Sequence, residues 1–256
     1  MNITFVGAGN LATNLAVALK VKHNITCVYS RTMESAKCLA DRVGGIPVND
    51  IRDIKRGADI YIIAVKDDII QDVAKQLANL AKDALVVHTA GTVGINALPT
   101  KRRGVFYPMQ TFSKQRILDF EDIPIFIEAN QQADIDILNN LASSISNRVM
   151  IVDGEQRKIL HLAAVFCCNF FNHCAAISQD ILERFNIPFN VMLPLINETC
   201  QKMNVLKPKQ SQTGPAVRND KSVMTAHIDM LNSINASKWT KIYELISESI
   251  QEMANK

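Results

Sequence analysis

The sequence predicts an α/β protein in which a doubly wound, mostly parallel sheet is followed by an all-helical second domain. Three observations predict this fold class. Short apolar runs of strand length alternate with amphipathic helical segments over the first 152 residues. The first apolar run passes directly into a glycine-rich turn. No run of comparable strand character follows Asp153-Gly154, so the alternation ends there.

The first element is the strand Asn2-Ile3-Thr4-Phe5-Val6, which runs into the turn Gly7-Ala8-Gly9-Asn10-Leu11-Ala12. A G-x-G-x-x-A turn between a strand and a helix, here predicted from Leu11 to Lys20, is typical of dinucleotide binding. Gly7 permits a tight turn, Gly9 lets the backbone approach a pyrophosphate, and Ala12 lets the helix pack on the strand. We therefore predict cofactor contacts at Gly7, Gly9, Asn10, Leu11 and Ala12; the alternative is a glycine turn without a ligand.

The second strand, predicted from Ile25 to Tyr29, ends in Ser30-Arg31-Thr32, about 20 residues after the glycines, where the cofactor ribose is read. An acidic side chain there would accept hydrogen bonds from the ribose 2′-hydroxyl of NAD, whereas a hydroxyl and a guanidinium suit the 2′-phosphate of NADP. Ser30 and Arg31 therefore predict NADP. The alternative is that Thr32 only caps a helix from Met33 to Val43 while Arg31 is solvated.

Three further strands are predicted from Ala58 to Val65, from Ala84 to Val87 and from Gly104 to Tyr107. Parallel strands present their carboxyl ends at one edge of the sheet, where ligands bind. Val65 and Lys66 should therefore line the cofactor site, and Lys66 is a candidate catalytic group. His88 is a candidate for proton transfer, although a histidine at a strand end is more often a hydrogen-bonded scaffold residue. Gln110 is a candidate substrate contact.

The alternation continues through a strand from Pro124 to Glu128, a helix from Gln131 to Ser146 and a strand from Arg148 to Val152. Asp153-Gly154 then interrupts the pattern. We therefore predict a dinucleotide-binding Rossmann domain over residues 1–152 and a helical domain for substrate binding and dimerisation over residues 153–256.

The helical domain opens with a segment from Glu155 to Asn186 that has neither glycine nor proline, which predicts one helix of roughly 48 Å at 1.5 Å per residue. On a wheel of about 100° per residue, five polar residues fall within about 120° of each other: Lys158, His161, Asn169, Asn172 and His173. This polar stripe could bond to neighbouring helices or face solvent, or it could line a cleft beneath the nicotinamide. We predict the cleft, with His161 as proton donor and Asn169 as ligand of a substrate oxygen or of the nicotinamide amide.

Further helices are predicted from Asn190 to Val205, Lys221 to Ser233 and Ser237 to Met253. The polar loop before Lys221 ends in Asp220, a plausible N-cap. In the same loop, Arg218 is either a solvated charge or a ligand for an anionic substrate group, donated from the partner subunit of a dimer. We expect a homodimer because roughly 100 helical residues make a thin core alone.

Composition argues against several classes of protein. The chain has 256 residues and a net charge of only +3, which argues against nucleic acid or an anionic membrane surface as partner. It shows no basic signal-peptide region and no uninterrupted apolar run near the ~20 residues of a membrane span, so we expect a soluble, cytoplasmic protein. The six cysteines include no C-x-x-C pair, which favours reduced thiols, and no metal site is predicted.

Several segments together resemble a known family: Gly7–Ala12, His88–Gly91, Pro108–Phe112, His161–Val165 with Asn169, and Gly214–Asp220. The series is similar to Rossmann-like proteins assigned as NADP oxidoreductases, which join a dinucleotide domain to a helical domain of unknown function. More distantly, it resembles pyrroline-5-carboxylate reductase, ketopantoate reductase and the β-hydroxyacid dehydrogenases. The resemblance implies hydride transfer between NADPH and a small carbonyl or imine substrate in an interdomain cleft.

One position departs from the distant relatives. β-Hydroxyacid dehydrogenases and ketopantoate reductases carry a lysine about one helical turn before the asparagine of the long helix, where this sequence has Val165 and Phe166. Asn169 can be matched, but the catalytic lysine cannot. In an enzyme, His161 or Lys66 would then supply the proton. The alternative is a protein that binds a dinucleotide as a sensor or scaffold without turnover.

Overall fold

The computed structural model describes residues 1–255 of the chain. The chain forms two compact units, of which the first is Met1–Cys168 and the second begins at Asn169. The sequence-based division at residue 152 reflects where the alternation of strands and helices stops. The compact units reflect packing, because the first turns of the long helix pack against the sheet.

The first unit is built on one eight-stranded sheet. The strands are β1 Asn2–Val6, β2 Asn24–Tyr29, β3 Ile46–Val48, β4 Ile60–Ile63, β5 Leu85–His88, β6 Arg103–Pro108, β7 Ile125–Ala129 and β8 Val149–Ile151. Their order is β3-β2-β1-β4-β5-β6-β7-β8, and every neighbouring pair is parallel except β6 and β7. The predicted doubly wound, mostly parallel sheet is thereby confirmed.

Helices cover both faces of this sheet. They are α1 Asn10–Leu19, α2 Met33–Val43, α3 Ile70–Leu77, α4 Gln132–Ser143 and α5 Gly154–Ala164. Successive residues of β4 alternate between the two cores: Ile62 packs in the core that contains Leu15 of α1, and Ile63 in the core that contains Leu77 of α3. A strand that is buried on both faces must be apolar throughout, which explains the continuous run that identified β4 in the sequence.

The sequence pattern missed one strand and misjudged several boundaries. It did not predict β3, whose Ile46-Pro47-Val48 is short and contains proline, as edge strands often do. It extended β4 beyond Ile60–Ile63 at both ends. His88 was expected just after its strand, but it is the last residue of β5 and pairs in register with Val105.

The long helix begins at a capping box. The Asp153 carboxylate accepts from the Gln156 backbone N–H at 2.8 Å, and the Gln156 side chain accepts from the Asp153 N–H at 3.0 Å. Together with α6 Phe171–Arg184, the helix runs over 31 residues. Between α5 and α6, Val165–Phe170 form a π-helical segment. The wider π turns break the 100° spacing, so the single polar stripe drawn on a regular wheel from Lys158 to His173 is not kept.

The second unit is all-helical over its described residues. Besides α6, its helices are α7 Leu193–Lys202, α8 Pro208–Ser211, α9 Lys221–Ser233 and α10 Ser237–Ala254. Asp220 caps α9 as predicted, accepting from the Val223 N–H at 3.4 Å. Arg184 lies over the ring of Trp239, 5.2 Å from its centroid. A cavity of about 280 Å³, lined by Ile177, Ile242 and other mostly apolar residues, lies within this unit.

Candidate functional site

A cleft of about 900 Å³ lies at the carboxyl ends of β1, β2, β4 and β5 in the first unit. This is the point where the strand order reverses, between β1 and β4, and where open α/β sheets bind their ligands. Eight of the predicted cofactor contacts line the cleft: Gly7, Gly9, Asn10, Leu11, Ser30, Arg31, Val65 and Lys66. Ala12 does not line it. Ala12 is fully buried in the core, where its small side chain lets α1 pack on the sheet.

The glycine turn has the geometry that its chemistry requires. Gly7 has φ +124°, and a Cβ built on it would lie 2.2 Å from the carbonyl oxygen of Ala64. Gly9 caps α1, and a Cβ there would meet no atom within 4 Å, so the backbone borders open space. A dinucleotide pyrophosphate fits this space at the amino terminus of α1. Any side chain at position 7 would collide with the backbone of Ala64, the residue directly after β4.

Ser30 and Arg31 follow β2 at the rim of the same cleft. The Ser30 N–H donates to the Val48 carbonyl at 3.1 Å, which ties the turn to the sheet edge, and Arg31 is exposed. Thr32 accepts from the Ser35 N–H and caps α2. Thr32 therefore supplies the cap of α2. The hydroxyl of Ser30 and the guanidinium of Arg31 stay available to an anion.

The loop after β5 joins the cleft to the long helix. Thr89 and Ala90 line the cleft, and the Thr92 hydroxyl donates to the Asp67 carboxylate at 2.7 Å. Between them, Gly91 lies against His161: a Cβ at position 91 would be 2.7 Å from His161 Nδ1. The imidazole therefore packs directly on the backbone of a cleft-lining loop.

His161 is also paired with a tyrosine. The Tyr107 hydroxyl at the end of β6 lies 3.2 Å from His161 Nδ1. Burial raises the pKa of Tyr107, and the nearby Asp67 carboxylate acts in the same direction. A hydroxyl and an imidazole in hydrogen-bond contact can pass a proton between them, so the pair can serve as a proton relay beside the cleft.

His88 is fully buried in β5. Its Nδ1 accepts from the Ala90 N–H at 3.2 Å, which shapes the turn into the cleft-lining loop. Burial, together with the positive charge of Arg157, lowers the pKa of His88 to about 4. A neutral, enclosed imidazole that bonds the backbone fits the scaffold role better than proton transfer at neutral pH.

Arg157 fixes the start of the long helix. Its side chain is 1% exposed, forms an ion pair with Glu128 of β7, and donates to the Val93 carbonyl at 2.6 Å. Arg157 thus holds α5 to the sheet and to the Thr89–Val93 loop at the same time. His161 lies one turn further along the same helix, so the ion pair also sets the position of the imidazole.

Four other site residues were predicted from the sequence: Lys66, Gln110, Asn169 and Arg218. Lys66 is exposed at the rim of the cleft. Gln110 accepts from the Thr111 N–H and lines a separate depression of about 280 Å³. Asn169 is exposed in the π-helical segment, and Arg218 is exposed in the loop before α9; both belong to the second unit.

Sequence reasoning missed Tyr107 and Arg157. Tyr107 was treated as the end of an apolar strand, and nothing in the local pattern shows that it would meet a helix more than fifty residues later. Arg157 gave no distinct signal, because it lies in a run of four polar residues, Glu155-Gln156-Arg157-Lys158, at the start of the helix. The helical wheel placed Lys158 in the polar stripe instead. The Lys158 ammonium pairs with the exposed Glu155.

Comparison with family models gives two matches. Residues 2–91 match the family described as NADP oxidoreductase, coenzyme F420-dependent. Residues 123–250 match a domain of unknown function, DUF2520. A comparison with curated proteins found no match.

Solved structures are similar to this protein over nearly the whole chain. A protein from Bacteroides fragilis assigned as an NADP oxidoreductase is 47% identical, with 98% of each chain covered and a TM-score of 0.94. A protein from Thermotoga maritima is 25% identical over 99% of this chain and 100% of that one, with a TM-score of 0.84. An imine reductase from Myxococcus stipitatus, solved with NADP+, shares the fold at 15% identity, with 100% and 94% covered and a TM-score of 0.69. The chain therefore belongs to the NADP oxidoreductase family whose members join an amino-terminal dinucleotide domain to a DUF2520 domain.

Proposed function

We propose that this protein transfers a hydride between NADPH and a small carbonyl or imine substrate. The family is one of NADP oxidoreductases, and eight of the residues expected to bind the cofactor line the cleft at the glycine turn. The observation that carries the proposal is the contact between His161 and Tyr107 beside the loop that lines this cleft. A reductase needs a proton source near the nicotinamide, and this pair can provide one.

The proposed reaction needs one hydride and one proton. When bound, NADPH would supply the hydride to the electrophilic carbon of a C=O or C=N bond and would be oxidised to NADP+. His161 donates its proton to the oxygen or nitrogen as negative charge develops there, and Tyr107 holds the imidazole in place and returns a proton to it from solvent. The products are an alcohol or an amine and NADP+. Both partners of the relay come from the first unit.

The cofactor contacts follow from the cleft. The pyrophosphate would lie on the Gly7–Leu11 turn and the 2′-phosphate beside Ser30 and Arg31, with Val65 and Lys66 along the β4 side. Asn169 would bind a substrate oxygen or the nicotinamide amide, and Arg218 and Gln110 would bind the rest of the substrate. These three assignments rest on the sequence and the family pattern rather than on contacts of the described residues.

The experiment is an NADPH oxidation screen across ketoacids, aldehydes and cyclic imines, followed by variants on the best substrate. His161→Gln should lower kcat by about 10²-fold or more, and Tyr107→Phe by a smaller factor, while NADPH affinity stays within about twofold. The second unit offers a matched control, because His227 Nδ1 lies 3.0 Å from the Tyr243 hydroxyl. His227→Gln and Tyr243→Phe should leave kcat unchanged. Full turnover by His161→Gln would remove His161 from the mechanism.

A second candidate function is a dinucleotide sensor or scaffold without turnover. The missing lysine at Val165 and Phe166 favours it, because the distant dehydrogenases depend on that group. Tight NADPH binding by the wild type, combined with no oxidation across the whole screen, would establish the sensor and contradict the reductase.

We also propose a homodimer, formed mainly through the helical unit, and a cytoplasmic location. Large apolar side chains of this unit are exposed, including Leu195 at 65%, Val205 at 80% and Leu245 at 66%. The helix Gly154–Arg184 is long and apolar enough to cross a membrane, and its most apolar window is not buried within the chain. Arg157 and its ion pair near one end of that helix favour burial against protein over lipid. A second copy of the chain is the occupant that a soluble oxidoreductase fold supports best.

A further inference from the structure

Lys114 lines the dinucleotide cleft, although it lies far from the glycine turn in the sequence. It belongs to the loop between β6 and β7, which passes over α1 on its way from one strand to the next. Neither the glycine motif nor the β2 end accounts for this residue. A lysine ammonium at the predicted dinucleotide cleft suits an anionic group of the ligand.

A buried asparagine holds this loop in place. Asn14 of α1 is fully buried; its Nδ2 donates to the Ser113 carbonyl at 2.9 Å, and its Oδ1 accepts from the Leu118 N–H at 3.0 Å. Phe112 stacks on Phe120, with ring centroids 5.7 Å apart, and packs on the core. The loop is thus fixed at both ends of the Ser113–Leu118 segment to the helix whose amino terminus faces the pyrophosphate.

The surroundings of Lys114 show which phosphate it would meet. The side chain is half-buried, and among residues 1–255 its ammonium forms no ion pair. The two carboxylates that line the cleft have other partners, since Asp67 accepts from Thr92 and Asp72 pairs with Lys75. Arg42, in the last turn of α2, donates weakly to the Lys114 carbonyl at 3.5 Å, so the backbone of this loop runs along the α2 side of α1.

The two phosphate positions of NADP are bound by different kinds of protein group. The pyrophosphate can be bound by the backbone N–H groups at the start of α1. The 2′-phosphate lies beyond the end of β2, where α2 begins, and needs side-chain cations. Lys114 lines the same cleft as Ser30 and Arg31, and its loop contacts α1 on the side that faces α2, which is the side of the 2′-phosphate.

We infer that Lys114 binds the 2′-phosphate of NADP together with Ser30 and Arg31, and that Asn14 positions the loop that presents it. The inference rests on the proposed placement of NADP in the cleft. It makes Lys114 a residue that selects NADP over NAD and acts before any chemical step.

The test is a fluorescence titration of NADPH and of NADH, which requires no substrate. Lys114→Ala should raise the Kd for NADPH by about tenfold or more, because a charge-assisted bond to a phosphate is lost, and should change the Kd for NADH by less than about twofold. Lys82→Ala is the control, because Lys82 is an exposed lysine that precedes β5 at the opposite edge of the sheet. It should change neither Kd.

The other outcomes are decisive as well. Equal losses for NADPH and NADH would assign Lys114 to the pyrophosphate, and no loss for either would remove it from the site; both contradict the inference. If the wild type binds neither dinucleotide, the cofactor placement itself fails, and the inference fails with it. Absence of turnover with normal binding contradicts only the reductase proposal.

The positioning role of Asn14 has its own readout. Asn14→Asp keeps the acceptor for Leu118 but removes the donor to Ser113, and it should reduce the preference for NADPH over NADH. In the double variant with Lys114→Ala the two effects should not add, because both act through one contact. A general loss of stability would instead weaken both dinucleotides equally, which would contradict the positioning role.

Discussion

At the scale of single residues, the position of His161 depends on a glycine. Gly91 has no side chain, and the imidazole occupies the space that a Cβ would need, with Nδ1 at 2.7 Å from that position. The backbone at Gly91 is not in the left-handed region, so the requirement is close approach rather than conformation. Position 91 therefore requires glycine only because the His161 side chain lies against its backbone.

Gly91→Ala should destabilise the protein by about 1–3 kcal/mol, because the new methyl group forces the imidazole or the loop to move. The double variant Gly91→Ala, His161→Ala should regain part of this loss, because the imidazole is removed and only the Cβ of residue 161, 3.1 Å from the added methyl group, stays close. Gly94→Ala in the same loop is the control, because a Cβ there meets no atom within 4 Å. Urea denaturation measures all three, and equal losses at positions 91 and 94 would contradict the packing argument.

His88 should make stability depend on pH. Its pKa is about 4 in the folded protein, against 6.5 for an unperturbed histidine. Between these pH values the histidine is protonated in the unfolded chain but neutral in the folded chain. The free energy of unfolding is therefore highest above about pH 6.5 and falls as the pH drops toward 4. The total loss is about 3 kcal/mol.

The measurement is the free energy of unfolding at pH 7 and pH 5 for the wild type and for His88→Asn. The asparagine can still accept from the Ala90 N–H but does not titrate. The variant should lose less stability between the two pH values than the wild type. His227→Asn, at an exposed histidine, should keep the slope of the wild type. An unchanged slope in His88→Asn would show that His88 titrates normally.

At the scale of elements, the attachment of α5 decides where the proposed proton donor lies. The Arg157–Glu128 pair is 1% and 19% exposed, whereas the neighbouring Lys158–Glu155 pair is 49% and 82% exposed. Breaking a buried pair leaves an uncompensated charge, and breaking an exposed pair costs almost nothing. The two adjacent residues therefore provide a matched comparison on one helix.

Arg157→Gln should lower the free energy of unfolding by about 3–5 kcal/mol, because Glu128 is left without its partner. Lys158→Gln should change it by less than about 1 kcal/mol. The double variant Arg157→Gln, Glu128→Gln should recover part of the loss, since no charge remains buried. Similar small losses in both single variants would show that the Glu128 carboxylate is solvated rather than held by Arg157.

At the scale of the whole molecule, the second unit exposes more apolar surface than a monomer usually tolerates. Its few buried apolar residues include Ala216, Leu231 and Ala236, while Leu195 and Leu245 are about two-thirds exposed. The first unit buries the central strands of its sheet on both faces, so its core is complete without a partner. Dimerisation should therefore depend on the helical unit.

Leu245→Glu should shift the protein from dimer to monomer at micromolar concentration, because a carboxylate would be buried at the proposed interface. Val21→Glu is the control, since Val21 is 77% exposed in the first unit. Sedimentation equilibrium distinguishes the two outcomes. A monomeric wild type would contradict the dimer, and a dimeric Leu245→Glu would place the interface elsewhere.

The sequence by itself determined the fold class and the strand that feeds the glycine turn, because these depend on local pattern. Eight of the nine residues expected around the cofactor line one cleft, and their contact with NADP stays a prediction. A run of apolar residues, a helix cap such as Asp220 and a turn that only glycine can make are set by neighbours along the chain. The order of the strands then follows from the short connections of alternating α/β units.

The pairing of His161 with Tyr107, the ion pair of Arg157 with Glu128 and the arrival of Lys114 in the cleft were decided only by the tertiary structure. Each joins residues that are far apart in the chain, through sheet order and helix placement that no local pattern encodes. The π-helical segment is a further example, because an extra residue per turn leaves the composition unchanged but changes the direction of every later side chain. Periodicity describes one element at a time, whereas a site is formed where elements meet.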